Sequence, residues 1–365
     1  MFSGIYKNKK VAVLGHTGFK GSWLVTWLLE LGAEVVCFSD TVPTEPSHFE
    51  LLKLDERAKD VRGNIENFKE VSSFLSDEKP EIVFHLAANA IVSDCIENPI
   101  KAFETNLMGT VNVLESIRNT PSIRSAVMIT SDKCYENVEW VFGYREDDRL
   151  GGKDPYSASK ACAEIAFSSY FRTFLKQNKE LKIASARAGN VIGGGDWAKD
   201  RIVPDCIRAW TNDTEVRIRS PKSTRPWQHV LEPLSGYLAL GADLYNSETT
   251  VNGESFNFGP KANVNKSVQE LIDEMENHWP AVRVEYDKDN LIKNKEASLL
   301  KLCCDKALFH LDWIPTLEFK ETVEYTVNWY KLWHENPSEV GAMTVNQIQD
   351  YQNCAKCRGV AWAQK

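Results

Sequence analysis

Lys10 to Leu31 reads KVAVLGHTGFKGSWLVTWLLEL, and this stretch decides the fold. Four aliphatic residues behind Lys10 are too few for a helix and apolar on both faces, as a buried parallel strand requires. The run enters Gly15-His-Thr-Gly18-Phe-Lys-Gly21, and Ser22 to Leu31 then carries apolar residues at helical spacing. Strand, glycine-rich turn and helix together aim backbone N–H groups and a helix N-terminus at a phosphate. A lone GxxGxxG is a weak signal, but here Glu34 to Phe38 (EVVCF) supplies the next strand of a βαβ unit. Gly15, Gly18, Phe19 and Gly21 are therefore candidate dinucleotide contacts.

Working outward, the end of that second strand is where a carboxylate would hold an adenosine ribose. Ser39 and Asp40 stand there, with no arginine following to take a 2′-phosphate, which favours NAD over NADP with Asp40 as the ribose contact. Val61 to Ile65 precedes a polar helix, and Glu81 to His85 is a strand entering Leu86-Ala87-Ala88-Asn89. Small residues after a strand let a cofactor approach the backbone. Asn64 and Ile65 are thus adenine-side candidates, and Leu86, Ala87 and Ala88 pyrophosphate-side ones. A periodic helix begins at Thr105-Asn106, and another strand runs to Ile129. Repeated strand and helix alternation predicts an α/β protein with a parallel sheet covered by helices on both faces.

The stretch after that strand carries Ser131, Asp132, Lys133 and Tyr156-x-x-x-Lys160, a cluster of proton-transfer groups at a strand end. On a helix, Tyr156 and Lys160 lie on one face, where an ammonium lowers a phenol's pKa and helps it act as a base. The helix is expected to continue to about Lys176. YxxxK also occurs by chance in many helices; the glycine turn upstream gives it weight.

Beyond Ala186 the pattern loosens. Three successive glycines, Gly193 to Gly195, exclude regular structure, and basic and aromatic residues interleave in Arg217, Arg219, Lys222, Arg225, Trp227 and His229. Such a patch suits a phosphorylated small molecule. An apolar helix spans Leu234 to Leu244, a strand Ser255 to Gly259, a helix Val268 to Glu276, and an aromatic-rich helix begins near Leu317. That last stripe reads as core. No clean linker separates two halves, so interleaved domains are expected: 1–186 for the dinucleotide, with 228–260 returning to it, and 187–365 mainly for substrate.

The 365 residues are 43% hydrophobic and 26% charged, long enough for two domains sharing a large core. A net charge of −8 argues against nucleic acid or anionic membrane as the main partner. No run of about eighteen apolar residues or signal-peptide core is present, which points to the cytoplasm. The nine cysteines are odd in number and scattered, as reduced thiols would be. Cys354-Ala-Lys-Cys357 lacks a second pair or nearby histidine to complete a metal site, so no metal is expected.

The glycine turn, Asn106, Ser131 and Tyr156-x-x-x-Lys160 together resemble the extended short-chain dehydrogenase/reductase family, and nearly the whole chain follows its order. Longer strings, GHTGFKGSWL, TSDKCY, DPYSASKACAE, RAGNVIGGGDWAKDRIVPD and RPWQHVLEPLSGY, are similar to its nucleotide-sugar 4,6-dehydratases, and among these to enzymes acting on CDP-glucose. The chain departs from the pattern near Asn89 and Ser93, where Gln and Arg are expected, and at Asn64, where Asp is usual.

The resemblance implies a Rossmann-type doubly wound sheet with a smaller interleaved α/β substrate domain, bound NAD, Asn106 among the cofactor contacts, a CDP-glucose substrate and a homo-oligomer. The oligomer would pair through helices near Asn106 and Ser159. It also implies the reaction: Tyr156, Lys160 and Ser131 oxidise C4, then water is lost across C5 and C6. Asp132 and Lys133 stand where related dTDP-glucose dehydratases carry Asp-Glu, which makes Asp132 the acid. Lys133 is favoured as the C5 base, with enolate stabilisation as the other reading. Asn190, Arg225 and His229 match diphosphate and nucleobase contacts, with Asp205 and Glu296 as further substrate candidates. Competing readings are a dehydratase or epimerase of another nucleotide-sugar, and an idle NAD-binding regulator. An epimerase has no need of Asp132-Lys133, and a sensor has no need of Tyr156 and Lys160.

Overall fold

The computed structural model describes residues 1–218, 220–246, 249–261, 263–279, 282–286 and 299–364. Seven strands build its central sheet: β1 (Lys10–Leu14), β2 (Glu34–Ser39), β3 (Lys59–Arg62), β4 (Ile82–His85), β5 (Ser125–Ile129), β6 (Lys182–Ala188) and, after four short strands, β11 (Ser255–Phe258). Their order is β11-β6-β5-β4-β1-β2-β3, every pair parallel. The chain winds outward from β1 through β2 and β3, then reverses through β4. The crevice beyond the carboxyl ends of β1 and β4 is therefore the switch point where a ligand fits an open α/β sheet.

Both faces of the sheet are covered, and the two-residue period of each strand divides its side chains between them. Ala12, Leu14, Val36, Phe38 and Val83 pack with Val71, Leu75, Val113, Leu114 and Phe167 of the helices Phe68–Glu78, Gly109–Arg118 and Pro155–Tyr170. Val11, Val13, Val35 and Phe84 face the other way, onto Trp23 and Leu24 of the helix Phe19–Glu30 and Leu234 and Leu238 of Leu231–Tyr245. Fully buried aliphatic and aromatic side chains such as Leu24 and Phe84 each contribute about 2–3 kcal/mol.

The C-terminal helices Phe319–Glu335 and Val340–Cys357 close this second layer. Trp329, Tyr330 and Tyr351 are fully buried there, so the aromatic stripe is core. The glycine run serves it: a Cβ on Gly194 would come 2.0 Å from Trp329, and Gly195, at φ +80°, admits the His48 ring.

Short strands organise the second half. β7 (Val191–Ile192) pairs with β10 (Gln228–His229), β8 (Val216–Ile218) with β13 (Val284–Tyr286), and β9 (Thr224–Arg225) with β12 (Lys266–Ser267). The helix expected from Thr105 begins earlier, at Pro99 after Asn98, and runs through a π-type turn, Glu104–Met108, into Gly109–Arg118. The helix at Tyr156 ends regular α geometry at Tyr170 and continues as a π-type turn to Leu175. All nine cysteines are unpaired, and no described helix is long and apolar enough to cross a membrane.

Candidate active site

Three segments meet beyond the carboxyl ends of β1, β4, β5 and β6. The first is the glycine turn. Gly15, at φ +91°, lies so close to the next turn that a Cβ would come 2.5 Å from Ala87 N, and a Cβ on Gly21 would come 2.1 Å from Gly15 O. Gly18 meets only Gly15 O, at 3.5 Å, and so opens into the crevice. Only glycine lets these backbones close into a cradle of this kind. Asn106, buried within the π-type turn, ties the crevice together. Its Oδ1 accepts from Asn89 N at 2.8 Å, and its Nδ2 donates to Asn89 O at 3.0 Å and Ser159 Oγ at 2.9 Å.

The second segment follows β5. Ser131 caps the short turn Asp132–Cys134, its Oγ accepting from Lys133 N at 3.2 Å and donating to Asp132 Oδ1 at 3.1 Å. Lys133 Nζ lies 3.4 Å from the same Oδ1. The Asp132 carboxyl is 1% exposed, and its Oδ2 is buried with no hydrogen-bond partner among the described residues. Gly189 leaves room for it: a Cβ there would come 3.2 Å from Oδ2.

The third segment is the helix Pro155–Tyr170. Asp154 caps it, accepting from Ser157 N at 2.9 Å and Ser157 Oγ at 2.7 Å, with Pro155 at the first helical position. Tyr156 and Lys160 follow, both buried, on the face turned towards Ser131. Burial raises the Tyr156 phenol above its ordinary value, while Lys133 first, then the Ser131 hydroxyl and Arg201, pull it down. Burial lowers Lys160 to about 8. Lys133 and Arg201 thus oppose burial of the phenol in the free chain.

The remaining candidates are spread more widely. Asp40 is exposed, its carboxylate accepting from Thr41 N at 2.7 Å. Ser39 is buried, its Oγ accepting from Thr17 at 3.0 Å. Asn64 Oδ1 accepts from Glu66 N at 2.9 Å, while Ile65 is buried with its carbonyl held by Asn112. Asn190 Oδ1 is buried without a partner among the described residues, in the loop entering β7. Arg225 lies in β9, half-buried, its Nη1 donating to Thr224 O at 2.8 Å. Asp205 pairs with Arg208 on its own helix. Glu296 and Arg219 lie outside the described residues.

His229 is fully buried between Trp23 and Tyr325, with ring centroids 5.8 and 5.6 Å away, and burial drops it to about 3. Its Nε2 is buried with no hydrogen-bond partner among the described residues. Its apolar neighbours come from two distant segments, which no local pattern around RPWQH reveals.

Sequence reasoning also passed over several residues. Arg62 aligns with Ser39 across β2 and β3, but it binds Asp60 at 2.7 Å and covers the Phe49 ring. Asp60 also holds His16 of the glycine turn at 2.9 Å. Arg201 reaches Asp196 at 2.7 Å, and the carboxylate keeps it charged beside Tyr156. Where the chain departs from the expected Gln and Arg, Ser93 donates to Asp200 at 2.8 Å and Asp94 binds Lys199 at 2.6 Å. These contacts fasten the loop before Arg201 to the segment after β4.

A carboxyl, a serine hydroxyl, a phenol and several amines around one crevice edge, beside a cradle for a dinucleotide backbone, are equipment for oxidation and proton transfer. Comparison with known proteins agrees. The model of the GDP-mannose 4,6 dehydratase family matches residues 12–326. The chain belongs to that family. A CDP-glucose 4,6-dehydratase of Salmonella typhimurium is 44% identical over 352 residues, 95% of this chain and 97% of that protein. Among solved structures, a dTDP-glucose 4,6-dehydratase of Bacillus anthracis in complex with NAD aligns with TM-score 0.74 at 21% identity, covering 88% of this chain and 96% of that one. An epimerase of Methanothermobacter thermautotrophicus, Mth375, aligns with TM-score 0.76 at 24% identity, covering 93% and 96%.

Proposed function

We propose that this protein is an NAD-dependent CDP-glucose 4,6-dehydratase, converting its substrate to CDP-4-keto-6-deoxy-glucose and water. The observation that carries the reading is Asp132 and Lys133 standing between Ser131 and Tyr156, in a chain 44% identical to a protein of that activity. Residues 1–186, with 228–260 returning to the sheet, hold the dinucleotide, and 187–365 mainly hold the nucleotide-sugar. Gly15, Gly18, Phe19 and Gly21 take the diphosphate on their backbone, and the Leu86–Ala88 turn and Asn106 line the same edge. Asp40, Asn64 and Ile65 serve the adenosine end. The open side of Gly18 and the closed approach of Gly15 to Ala87 fit such a group. When bound, NAD supplies a hydride acceptor for C4 and a hydride donor for C6.

The chain's own residues manage protons. Tyr156 takes the C4 hydroxyl proton, and Ser131 hydrogen-bonds the same oxygen. The resulting 4-ketone acidifies C5. Lys133, as the amine, takes the C5 proton while Asp132, as the acid, protonates the C6 hydroxyl, which leaves as water. Lys133 returns its proton to C5 when C6 is reduced, so it ends as it began. Asp132 has lost a proton and Tyr156 has gained one. Ser131, bonded to Asp132 Oδ1 at 3.1 Å and to the phenol, is the bridge that returns it. Asn190 and Arg225 bind the nucleotide end, where Arg225 offers a two-pronged phosphate contact.

The protein works in the cytoplasm and as a homo-oligomer. Exposed Ile100, Met108 and Ile165, on the helices around Asn106 and Ser159, supply an apolar face for a second copy. Purified protein is tested against CDP-, dTDP-, UDP- and GDP-glucose and GDP-mannose. The expected product from CDP-glucose develops the alkali-induced ultraviolet absorbance of a 4-keto-6-deoxy sugar; product only from another nucleotide would overturn the substrate assignment.

A further inference from the structure

Two segments that reach Tyr156 are fastened to each other. The first is the short helix Val92–Glu97 after β4, whose Val92 and Cys95 belong to the apolar cluster around the phenol ring. The second is the loop from Asp196 to Arg201. Its start is held by the C-terminal helix Phe319–Glu335: Trp197 packs on Tyr330 and Trp333, with ring centroids 5.2 and 4.3 Å away, and the Tyr330 hydroxyl donates to Asp196 O at 2.5 Å. Its end is held from the other side of the crevice. Lys199 Nζ binds Asp94 at 2.6 Å, and Asp200 accepts from Ser93 Oγ at 2.8 Å. Asp200, at φ +59°, is in the left-handed region, so the chain turns sharply between these contacts and Arg201. Ser93 and Asp94 are flanked in the same way by Val92 and Cys95. Each half of the clasp is thus the immediate neighbour of a residue that acts on Tyr156.

We propose that Ser93, Asp94, Lys199 and Asp200 are positioning residues for the reaction, a clasp that holds Arg201 beside Tyr156. The proposal rests on the reading of Tyr156 as the base at C4. The groups that face the phenol are Ser131, Asp132 and Lys133 after β5, Arg201, Cys95, Tyr237 of the helix Leu231–Tyr245 and, on its own helix, Lys160. Lys133 and Arg201 pull the phenol down, and Asp132 pushes it up. Lys133 follows directly from the end of β5, in the turn that Ser131 caps, and so has a fixed origin. Arg201 stands at the end of a loop, and its distance from the ring is set by what fastens that loop. Lys199 and Asp200 are exposed, and Glu97 also acts on the Lys199 ammonium. An ion pair in water is weak and screened by salt, so this clasp opens readily. When it opens, Arg201 withdraws and the phenol holds its proton to higher pH.

The test is the pH dependence of kcat/KM of the full chain with NAD and whichever nucleotide-sugar of the panel above reacts. Beside it, the tyrosinate absorbance of each chain minus that of its Tyr156→Phe counterpart reads the phenol without turnover. Lys199→Glu sets like charges against each other at Asp94. It is expected to move the limb on which activity rises with pH, and the spectroscopic midpoint with it, upward by about half to one pH unit. The exchanged pair Asp94→Lys with Lys199→Asp is expected to return both to wild type. In an Arg201→Met chain the limb starts high, and Lys199→Glu moves it no further. An unshifted limb in Lys199→Glu, no recovery in the exchanged pair, or an equal shift with and without Arg201 would each overturn the proposal and leave the dehydratase reading intact. A chain that turns over no nucleotide-sugar would overturn that reading, and the difference spectra then decide the clasp alone. Should Arg201→Met fail to fold, Lys199→Glu and the exchanged pair still decide the matter.

Discussion

Arg187 and Glu164 form a buried ion pair 2.7 Å long, joining β6 to the Tyr156 helix one turn beyond Lys160. Neither side chain reaches water. Glu164 also accepts from Thr130, from Ser185 at 2.9 Å and from Ser255 at 3.1 Å, while Arg187 donates to Tyr135 at 2.7 Å and to the Glu146 carbonyl at 2.9 Å. The pair thus pins the helix carrying Tyr156 and Lys160 to β6, to β11 and to the segment that follows β5. Removing one partner leaves a buried charge without its counterion, at a cost of about 3–5 kcal/mol. Arg187→Met or Glu164→Leu alone should lower the unfolding free energy measured in urea by that amount, and the double variant should lose less than the two singles together.

Glu232 makes stability depend on pH. Its carboxylate accepts from Thr316 N at 2.9 Å, Leu317 N at 2.6 Å and Tyr351 at 2.8 Å, yet burial outweighs these bonds and raises it to about 7. A carboxyl raised in the folded state contributes stability that is full below its unfolded value near 4.5 and is lost as pH climbs towards 7. The loss amounts to about 3 kcal/mol across that window. Urea unfolding of wild type at pH 5 and pH 8, set against Glu232→Gln, should show this decline in wild type and a flatter profile in the variant.

The features legible in the sequence were those with local causes. Strand, glycine turn and helix at Lys10–Glu30 follow from period and backbone freedom within twenty-odd residues, and the sheet follows from repeating that alternation. Tyr156-x-x-x-Lys160 and Ser131 were visible for the same reason. Features that depend on distant neighbours were not. Asn98-Pro99 marked the true start of its helix, but the π-type turn at Asn106 interrupts the spacing and hid it. His229 stands in a basic, aromatic string that reads as a ligand site, and only Trp23 and Tyr325 make it core.

Gly15 tests the cradle. Its φ of +91° is strained for any other residue, and a Cβ would come 2.5 Å from Ala87 N. Gly15→Ala should therefore force the glycine turn away from the Leu86–Ala88 turn and weaken NAD binding by about tenfold or more. Fluorescence titration of the eleven-tryptophan chain with NAD reads this directly. Unchanged affinity would place the diphosphate elsewhere.

Tyr156 tests the redox half of the reaction. Phenylalanine keeps the ring, which is 8% exposed and packed beside Cys95 and Ala102, and removes only the hydroxyl. Tyr156→Phe should leave the fold and CDP-glucose binding near wild type and lower kcat by about a hundredfold or more, as loss of a general base does. Steady-state turnover and substrate titration together separate this from a binding defect.

Asp132 tests the elimination half, and it separates the two jobs that crowd onto one segment. Asparagine preserves shape and the contact with Ser131 but has no proton to give a leaving hydroxyl. C4 oxidation by Tyr156, Ser131 and Lys160 does not use that proton. Asp132→Asn, mixed with CDP-glucose in a single turnover, should therefore build up the near-ultraviolet absorbance of reduced nicotinamide and release little 4-keto-6-deoxy sugar. The same reaction in deuterated water should still exchange C5, because Lys133 remains to remove its proton once C4 is a ketone. Full product formation would strip Asp132 of its role as acid. Reduced nicotinamide without C5 exchange would show that Lys133 needs the carboxyl 3.4 Å away to act as a base.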